Sequence, residues 1–158
     1  MAVIGAGSAN GACSLIHAAG IGYGASLGLD LPVNVRLLDA PPRREVNDPD
    51  GLLEAVLNAW TDASHPAPEG EFHWAVRSSI PPRQGLKSSA AVSIAGLRAL
   101  ADATGTDVAT PALVELAGAA QLAAGVSMTG AYDDAWAAAE RGWRLIDVGA
   151  TSAEERVV

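Results

Sequence analysis

Alternation of apolar and polar residues predicts two strands in the first half of the chain. Val33, Val35 and Leu37 recur at every second position within residues 31–39, and residues 71–78 repeat the alternation. A period of two residues is that of a half-buried strand, with one face on the core and the other on solvent. A pair of prolines follows each run, and proline cannot donate to a sheet ladder. We therefore predict that both strands end before these prolines.

Helical spacing of apolar residues predicts three helices and leaves room for one later strand. The helices are Asp50–Ala63 with Asp50 as its cap, Ser88–Ala103, and a third from a Thr110 cap, with Pro111 at the first position, to about Ala124. Asp and Thr side chains accept hydrogen bonds from the free N–H groups of a first turn, and proline suits a position where no N–H is needed. The segment Gly142–Val148 is predicted to be a strand.

The first thirty residues are rich in glycine and other small residues. Ala2–Ala9 starts apolar and then becomes small, which predicts a strand that ends in a turn where the backbone closely approaches another group. Gly20–Gly28 repeats the glycine density. Strands and helices thus alternate irregularly, so we expect an α+β fold in one domain, residues 1–158, with a mixed sheet packed with helices.

Composition and charge exclude several classes of protein. The chain has 158 residues, 49% of them hydrophobic, and a formal net charge of −8. Such a charge repels phosphate backbones, so nucleic-acid binding is not expected. The single cysteine, Cys13, excludes an intrachain disulfide and a cysteine metal cluster. The sequence shows neither a basic signal-like start nor an apolar stretch of membrane-spanning length, so we expect a soluble cytoplasmic protein.

The segment from Ile80 to Ala91 has the composition of a phosphate site. It places Gly85, Lys87, which is the single lysine of the chain, and Ser88 and Ser89 between a strand end and a helix start. The first N–H groups of a helix lack intrahelical acceptors and the helix dipole makes that end partly positive, so anions bind there. The alternative is that Ser88 only caps the helix and Gly85 only turns the chain. The spacing is not that of a Walker motif.

Two adjacent acids, Asp133 and Asp134, follow a turn near the end of the chain. Neighbouring side chains on an extended or turn segment diverge, so we expect the two carboxylates to do different jobs. One of them is suited to accept a proton from a hydroxyl nucleophile. The alternative is that Asp134 caps a following helix.

A dinucleotide-binding fold is the main alternative from a different class of protein. Gly5 and Gly7 follow an apolar start, as in a G-x-G-x-x-G motif, but Asn10 occupies the third glycine position. The acid at the end of the next predicted strand, Asp39, lies beyond the expected spacing of about 20 residues. An oxidoreductase is therefore the weaker interpretation.

Three ordered motifs resemble those of GHMP kinases, and among these the archaeal-type shikimate kinases. The run from Pro81 to Ala91 resembles the second motif, P-x-x-x-G-L-x-S-S-A-A, and Thr129–Ala135 is similar to T-G-A-F-D-D-A with Tyr132 in place of Phe. Gly5–Ala18 and Gly22–Asp30 resemble the start of these kinases. The departures are Ser14 and His17 for the usual Thr and Asn, and Tyr23 for a common Lys.

The resemblance implies a fold of the GHMP-kinase N-terminal type with ATP and Mg²⁺ as ligands. Its motifs place the nucleotide on Pro81, Gly85, Leu86, Lys87, Ser88, Ser89 and Ala90. They place Asp133 at the reacting hydroxyl, with Asp134 as the fallback. Mg²⁺ is assigned to Ser88 and Ser89, with Glu115 as a substitute for the family Glu where this chain has Gln121.

The implied reaction is phosphorylation of a hydroxyl group on a small carboxylic acid, with shikimate first. Homoserine or mevalonate as acceptor, or an inactive nucleotide-binding fragment, are the alternatives. A carboxylate acceptor needs a cation, for which the candidates are Arg36, Arg43 and Arg83. Whole GHMP kinases are nearly twice as long, so we expect that a C-terminal domain is missing and that apolar surface is covered by self-association or by a partner chain.

Overall fold

The structure of the protein, a computed structural model, describes residues 1–82, 84–130 and 132–158. The strands within these residues are β1 (Val3–Ile16), β2 (Tyr23–Leu38), β3 (His73–Ser78) and β4 (Ile146–Asp147). The helices are α1 (Ala18–Ile21), α2 (Leu52–Asp62), α3 (Ser88–Thr104), α4 (Thr110–Ala123) and α5 (Asp133–Ala139). The candidate cation Arg83 lies outside the described residues.

An antiparallel sheet with β2 at its centre forms one layer of the fold. β1 pairs with β2 along nearly its whole length, from Val3 opposite Leu38 to Ile16 opposite Ala25. β3 pairs with the C-terminal part of β2, whereas β4 pairs with its first two residues. The predicted α+β fold is confirmed. The antiparallel pairing and the position of Gly5 and Gly7 inside β1 exclude the parallel dinucleotide-binding fold.

The glycines at the start of the chain do not end a strand, as the sequence predicted, but lie within one. α3 packs against them, because an added Cβ would lie 2.3 Å from the Ala99 carbonyl oxygen at Gly5 and 2.2 Å from the Ala95 carbonyl oxygen at Gly7. No side chain fits at either distance. The predicted close approach is therefore correct, and the element that approaches is a helix far along the chain.

The predicted helices are confirmed, with corrections at their first residues. α2 begins after Gly51, and Asp48 rather than Asp50 caps it. Thr110 is the first residue of α4 and not its cap. The predicted last strand is reduced to β4, and the chain that follows returns to it through a bridge between Ile146 and Val157.

The core lies between one face of the sheet and the helices. Val33, Val35 and Leu37 of β2 are fully buried, as the alternation predicted, on the side of the sheet where α3 packs. Trp60 is also fully buried, and its indole N–H donates to the Pro66 carbonyl at 2.8 Å. In the described part of the chain, every helix is too short or too polar to cross a lipid bilayer.

Candidate active site

The start of α3 has an unusual backbone. Gly85 and Lys87 both have left-handed conformations, with φ of 66° and 58°. Such a conformation is free for glycine but costs a lysine about 1–2 kcal/mol. Lys87 directly precedes the helix, and within the described residues no side chain caps it. The Lys87 carbonyl accepts its first bond from Ala91 N–H at 3.1 Å, so the preceding N–H groups of Ser88, Ser89 and Ala90 are left for an external acceptor.

A cavity of about 250 Å³ adjoins this helix start. Ser88, Ser89 and Val92 of α3 form one wall, and residues 46–50 with the start of α2 form another. The remaining residues of the predicted nucleotide segment fix the loop: the Leu86 carbonyl accepts from Ala12 N–H of β1 at 3.1 Å, and Ala90 is buried. A concave site therefore lies beside free N–H groups, as a nucleotide site requires.

The two acids, Asp133 and Asp134, are the first residues of α5 and do not diverge as predicted. Ser26 Oγ of β2 lies 3.0 Å from Asp133 Oδ2 and 2.6 Å from Asp134 Oδ1. Gly24 makes room for them, because an added Cβ there would lie 2.9 Å from Asp133 Cγ. Asp133 is buried, with 5% of its surface exposed, whereas about a quarter of the Asp134 side chain, 24%, is exposed.

An ion pair joins the two motifs that the sequence predicted separately. Lys87 Nζ lies 3.0 Å from Asp134 Oδ2. The cation next to the free N–H groups of α3 therefore also contacts the carboxylate at the start of α5. The phosphate segment and the acids form one site.

The Asp133 carboxyl ionises less readily than an exposed aspartate does. Burial raises the pKa of Asp133 above its ordinary value of 3.8, and the neighbouring Asp134 carboxylate raises this pKa further. The Ser26 hydrogen bond and the Lys87 charge oppose the shift without cancelling it. Asp133 therefore holds a proton to a higher pH than a solvent-exposed aspartate does.

The predicted metal ligands are only partly brought together. Ser89 Oγ contacts Gln121 Oε1 at 3.3 Å, so the residue that replaces the family Glu lies at the site. Glu115 lies six residues earlier on α4, about 9 Å along the helix, and accepts from Ala153 N–H at 2.8 Å. The described contacts thus give Glu115 no link to Ser88 or Ser89.

A Mg²⁺ ion fits this donor set only as a partner of phosphate. The described residues hold no group of three His, Cys, Asp or Glu side chains suited to a metal. Mg²⁺ keeps several waters and commonly binds to protein through few oxygens when substrate phosphates supply the rest. The hydroxyls of Ser88 and Ser89 are suited to that role.

The arginines predicted for an acceptor carboxylate are not at the acids. Arg36 lies ten residues along β2 from Ser26, roughly 30 Å away at the rise of a strand, on the exposed face of the sheet. Arg43 is exposed in the loop between β2 and α2.

Sequence reasoning gave no role to Ser26 or Gly24, although both lie in the Gly22–Asp30 motif. Their contacts with α5 join residues more than a hundred positions apart, which a local motif does not reveal. His17 caps the short helix α1 by accepting from Ala19 N–H at 3.3 Å, which agrees with the structural role that is more usual for such a histidine.

Comparison with known proteins identifies related sequences. A family model described as GHMP kinases N terminal domain matches residues 51–142. The shikimate kinase of Thermococcus kodakarensis is 33% identical over 138 residues, which cover 82% of this chain and 50% of that protein. The shikimate kinase of Pyrococcus furiosus is 33% identical over 149 residues, covering 90% and 55%. The chain thus spans about half the length of the curated relatives it matches.

Solved structures of similar fold include kinases for other acceptors. The mevalonate kinase of Methanococcus jannaschii superposes with a TM-score of 0.72 at 15% identity, covering 90% of this chain and 52% of that one. The galactokinase of Lactococcus lactis complexed with galactose gives a TM-score of 0.71 at 18% identity, covering 91% and 44%. At these identities the likeness concerns the fold.

Proposed function

Because the chain belongs to the GHMP kinase family, we propose that it binds ATP and takes part in phosphorylation of a hydroxyl group on a small carboxylic acid. The observation that carries the proposal is the ion pair of 3.0 Å between Lys87 and Asp134. It brings a phosphate-binding helix start and a pair of carboxylates into one site, which are the two parts that phosphoryl transfer needs: charge neutralisation and a group that orients or deprotonates the nucleophile.

The phosphates of ATP are proposed to bind at the start of α3. The N–H groups of Ser88, Ser89 and Ala90 donate to phosphate oxygens, and the Lys87 ammonium adds a mobile positive charge. Gly85 gives the loop room for close approach, while Pro81 and Leu86 shape it. The cavity of about 250 Å³ beside Ser88 and Ser89 is the proposed place for the rest of the nucleotide.

Mg²⁺ is proposed to arrive with the phosphates and to be held by Ser88 and Ser89. Bound there, it would neutralise charge that develops on the transferred group. Glu115 stays a prediction without a supporting contact. Gln121→Glu provides a test, because a carboxylate there should lower the Mg²⁺ concentration needed for nucleotide binding.

Asp133 is proposed to accept the proton of the acceptor hydroxyl, with Asp134 as the fallback. Its buried position beside Ser26 holds the carboxyl in one orientation, and positioned general bases contribute about 10²–10⁴-fold to rates. A base acts only when ionised, and because the pKa of Asp133 is raised, the rate should fall on acidification at a higher pH than it would for an exposed aspartate.

Shikimate is proposed as the acceptor, in biosynthesis of aromatic amino acids in the cytoplasm. The support is the names of the curated relatives, which are shikimate kinases. Homoserine and mevalonate are the alternatives, since the mevalonate kinase of Methanococcus jannaschii shares the fold.

The proposal is tested with the isolated chain, ATP, Mg²⁺ and a panel of these acceptors. ATP-dependent phosphorylation of shikimate, lost in Asp133→Asn, supports it. ATP binding without transfer to any acceptor supports the alternative, an inactive nucleotide-binding fragment. Absence of ATP binding contradicts both.

Apolar surface next to the acids is proposed to be covered by self-association or by a partner chain. Leu15, Ile16, Ile21 and Tyr23 are between 37% and 66% exposed, and Ile16 pairs with Ala25, the residue before Ser26. Contiguous exposed apolar residues commonly mark an interaction surface. Sedimentation should show association that Ile21→Asp weakens. A compact monomer that binds no apolar dye would contradict the proposal.

A further inference from the structure

Arg98, in the middle of α3, joins this helix to β1 and to α5. Its Nη1 donates to the Ser8 carbonyl of β1 at 2.7 Å, and its Nη2 donates to the Ala139 carbonyl of α5 at 2.8 Å. Ala139 is the last residue of α5, so no N–H group of that helix is available to its carbonyl. The Arg98 guanidinium therefore supplies a donor that the end of α5 lacks.

Arg98 and Lys87 connect α3 and α5 at two points. Lys87 Nζ contacts Asp134 where both helices start, and Arg98 contacts Ala139 where α5 ends. The two helices therefore run side by side in the same direction. A long side chain on a helix points back toward the N-terminus, which lets Arg98, about three turns into α3, reach the end of a helix about two turns long.

The short helix α5 depends on its neighbours for its position. It has seven residues, and helices of this length are not stable alone in water. β2 approaches it closely at two glycines, because an added Cβ would lie 2.9 Å from Asp133 Cγ at Gly24 and 2.8 Å from the Ala137 carbonyl oxygen at Gly28. These contacts place α5 against the sheet. Its polar contacts with α3, among the described residues, are the two named above.

We propose that Arg98 is a positioning residue, which fixes the two acids of α5 relative to the phosphate site at the start of α3. This inference rests on the proposed function, in which Lys87 binds phosphate. A phosphate ligand that draws Lys87 away from Asp134 leaves the Arg98 contact in place. A planar guanidinium donates to two carbonyls in fixed directions, whereas a lysine ammonium is a point charge without that geometry.

The pKa of Asp133 reports the position of α5. Burial is the main cause that raises this pKa, and the charges that act on it among the described residues are those of Asp134 and Lys87. Arg98 is not one of them, so removal of its charge does not by itself change the pKa. A displacement of α5 that exposes Asp133 should lower the pKa, which titration of the carboxyl ¹³C resonance, assigned with Asp133→Asn, measures in the free chain.

Arg98→Met tests the proposal, because methionine keeps an unbranched apolar stem and removes the donors. The pKa of Asp133 should fall, and turnover with an accepted substrate should fall by about 10²-fold, the cost of a misplacement of about 1 Å. The affinity for inorganic triphosphate with Mg²⁺ should stay unchanged. The matched control is Arg144→Met, since Arg144 contacts Glu140 and the Trp136 ring at the end of α5 but has no described contact with α3. It should leave all three quantities unchanged.

An unchanged Asp133 pKa in Arg98→Met would overturn the proposal. A loss of triphosphate affinity that matches the loss of turnover would also overturn it, because Arg98 would then support the whole fold. If Arg98→Met does not fold, Arg98→Lys decides: an ammonium cannot hold both carbonyls, so the Asp133 pKa should fall by a smaller amount, and no fall would contradict the proposal. If the unsubstituted chain binds no triphosphate, the proposed function is wrong, whereas the Asp133 pKa still shows whether Arg98 positions α5.

Discussion

The starts of α2 and α3 differ in how the first backbone N–H groups of each helix are satisfied. Both helices follow a residue with a left-handed backbone, Gly51 with φ of 67° before α2 and Lys87 with φ of 58° before α3. At α2, the Asp48 carboxylate accepts from Leu52 N–H at 3.0 Å and from Leu53 N–H at 2.8 Å. At α3, the Lys87 side chain makes no capping hydrogen bond, and the side-chain hydrogen bonds of the described residues at this start involve Ser89 Oγ and the Ser89 carbonyl rather than the first N–H groups.

This difference distinguishes a helix start whose N–H groups are satisfied within the chain from one whose N–H groups are open to a ligand. α2 uses glycine where the backbone requires it and satisfies its N–H groups internally, so it needs no ligand. α3 places a lysine where glycine would be free of strain, at a cost of about 1–2 kcal/mol for the backbone, and leaves its first N–H groups open. Such local violations concentrate at functional sites. The ion pair of Lys87 with Asp134 is in agreement with the site proposed for this residue.

The largest expected effect is on turnover, at the buried acid Asp133 beside the Lys87–Asp134 ion pair. Asp133→Asn should lower the rate by about 10²–10⁴-fold while ATP affinity stays nearly constant, because Asn keeps the shape but cannot take a proton. Steady-state kinetics with the accepted substrate measure it. Asp134→Asn is the matched control and should cost less. A loss at Asp134 alone would move the base by one residue, and equal losses would mean that the acids act together.

The next effect is on nucleotide affinity. Lys87→Ala should weaken ATP binding by about 1.5–3 kcal/mol, the range for a hydrogen bond to a charged group. Isothermal titration calorimetry with Mg²⁺ and ATP measures it. Gly51→Ala is the control at the other helix start, and it should leave unchanged the affinity for inorganic triphosphate, which lacks the adenosine proposed to contact the cavity there. An unchanged affinity in Lys87→Ala would favour the alternative that the start of α3 is an ordinary helix start.

For stability we expect the opposite of the result for affinity: the change at Gly51 should cost more than the change at Lys87. Gly51→Ala forces a side chain into a left-handed conformation and should cost about 1–2 kcal/mol in the free energy of unfolding. Lys87→Gly should cost less than this, because relief of strain offsets the loss of a partly exposed ion pair. Denaturant unfolding of both variants decides the matter. A larger loss of unfolding free energy in Lys87→Gly than in Gly51→Ala would mean that Lys87 stabilises the fold.

The cap of α2 gives a smaller effect of the same kind. Asp48→Ala removes the acceptor of two N–H groups and should cost about 1 kcal/mol in the free energy of unfolding. Asp50→Ala is the control, since the sequence favoured Asp50 as the cap but the structure assigns that role to Asp48. A greater loss in Asp50→Ala would restore the original prediction.

The smallest effect is a dependence of stability on pH. The pKa of Asp133 is raised above its ordinary value of 3.8, so the folded protein binds this proton more tightly than the unfolded chain. The resulting stabilisation is complete below the unfolded pKa and is lost as pH rises through the raised folded pKa. Unfolding experiments at several pH values should show this slope, and Asp133→Asn should remove it. A slope that persists in Asp133→Asn would assign it to another group.

Local sequence patterns predicted the strands and helices that have one regularly buried face. The alternation around Val33 and Val35 and the helical spacing of α2 and α3 follow from one face being buried, which a single segment reveals. The phosphate segment and the acids were found as separate motifs for the same reason. These parts of the fold and the site were therefore accessible from sequence.

Contacts between distant segments were not accessible in this way. Gly5 and Gly7 read as a turn because the helix that explains them, α3, comes some ninety residues later. Ser26 is one of several serines in the strands, and its contacts depend on where α5 packs against β2. The choice of Asp48 over Asp50 depends on the path of the loop before α2, which periodicity does not fix.

The most direct test of the central claim compares the backbone N–H groups of the two helix starts. Inorganic triphosphate with Mg²⁺ is titrated into the ¹⁵N-labelled chain, because it carries the phosphates without the adenosine that would contact the cavity beside α2. The amide resonances of Ser88, Ser89 and Ala90 should shift with a common affinity, whereas those of Leu52 and Leu53, already bound to Asp48, should stay in place. Equal shifts at both starts, or none at α3, would contradict the assignment of α3 as the phosphate site.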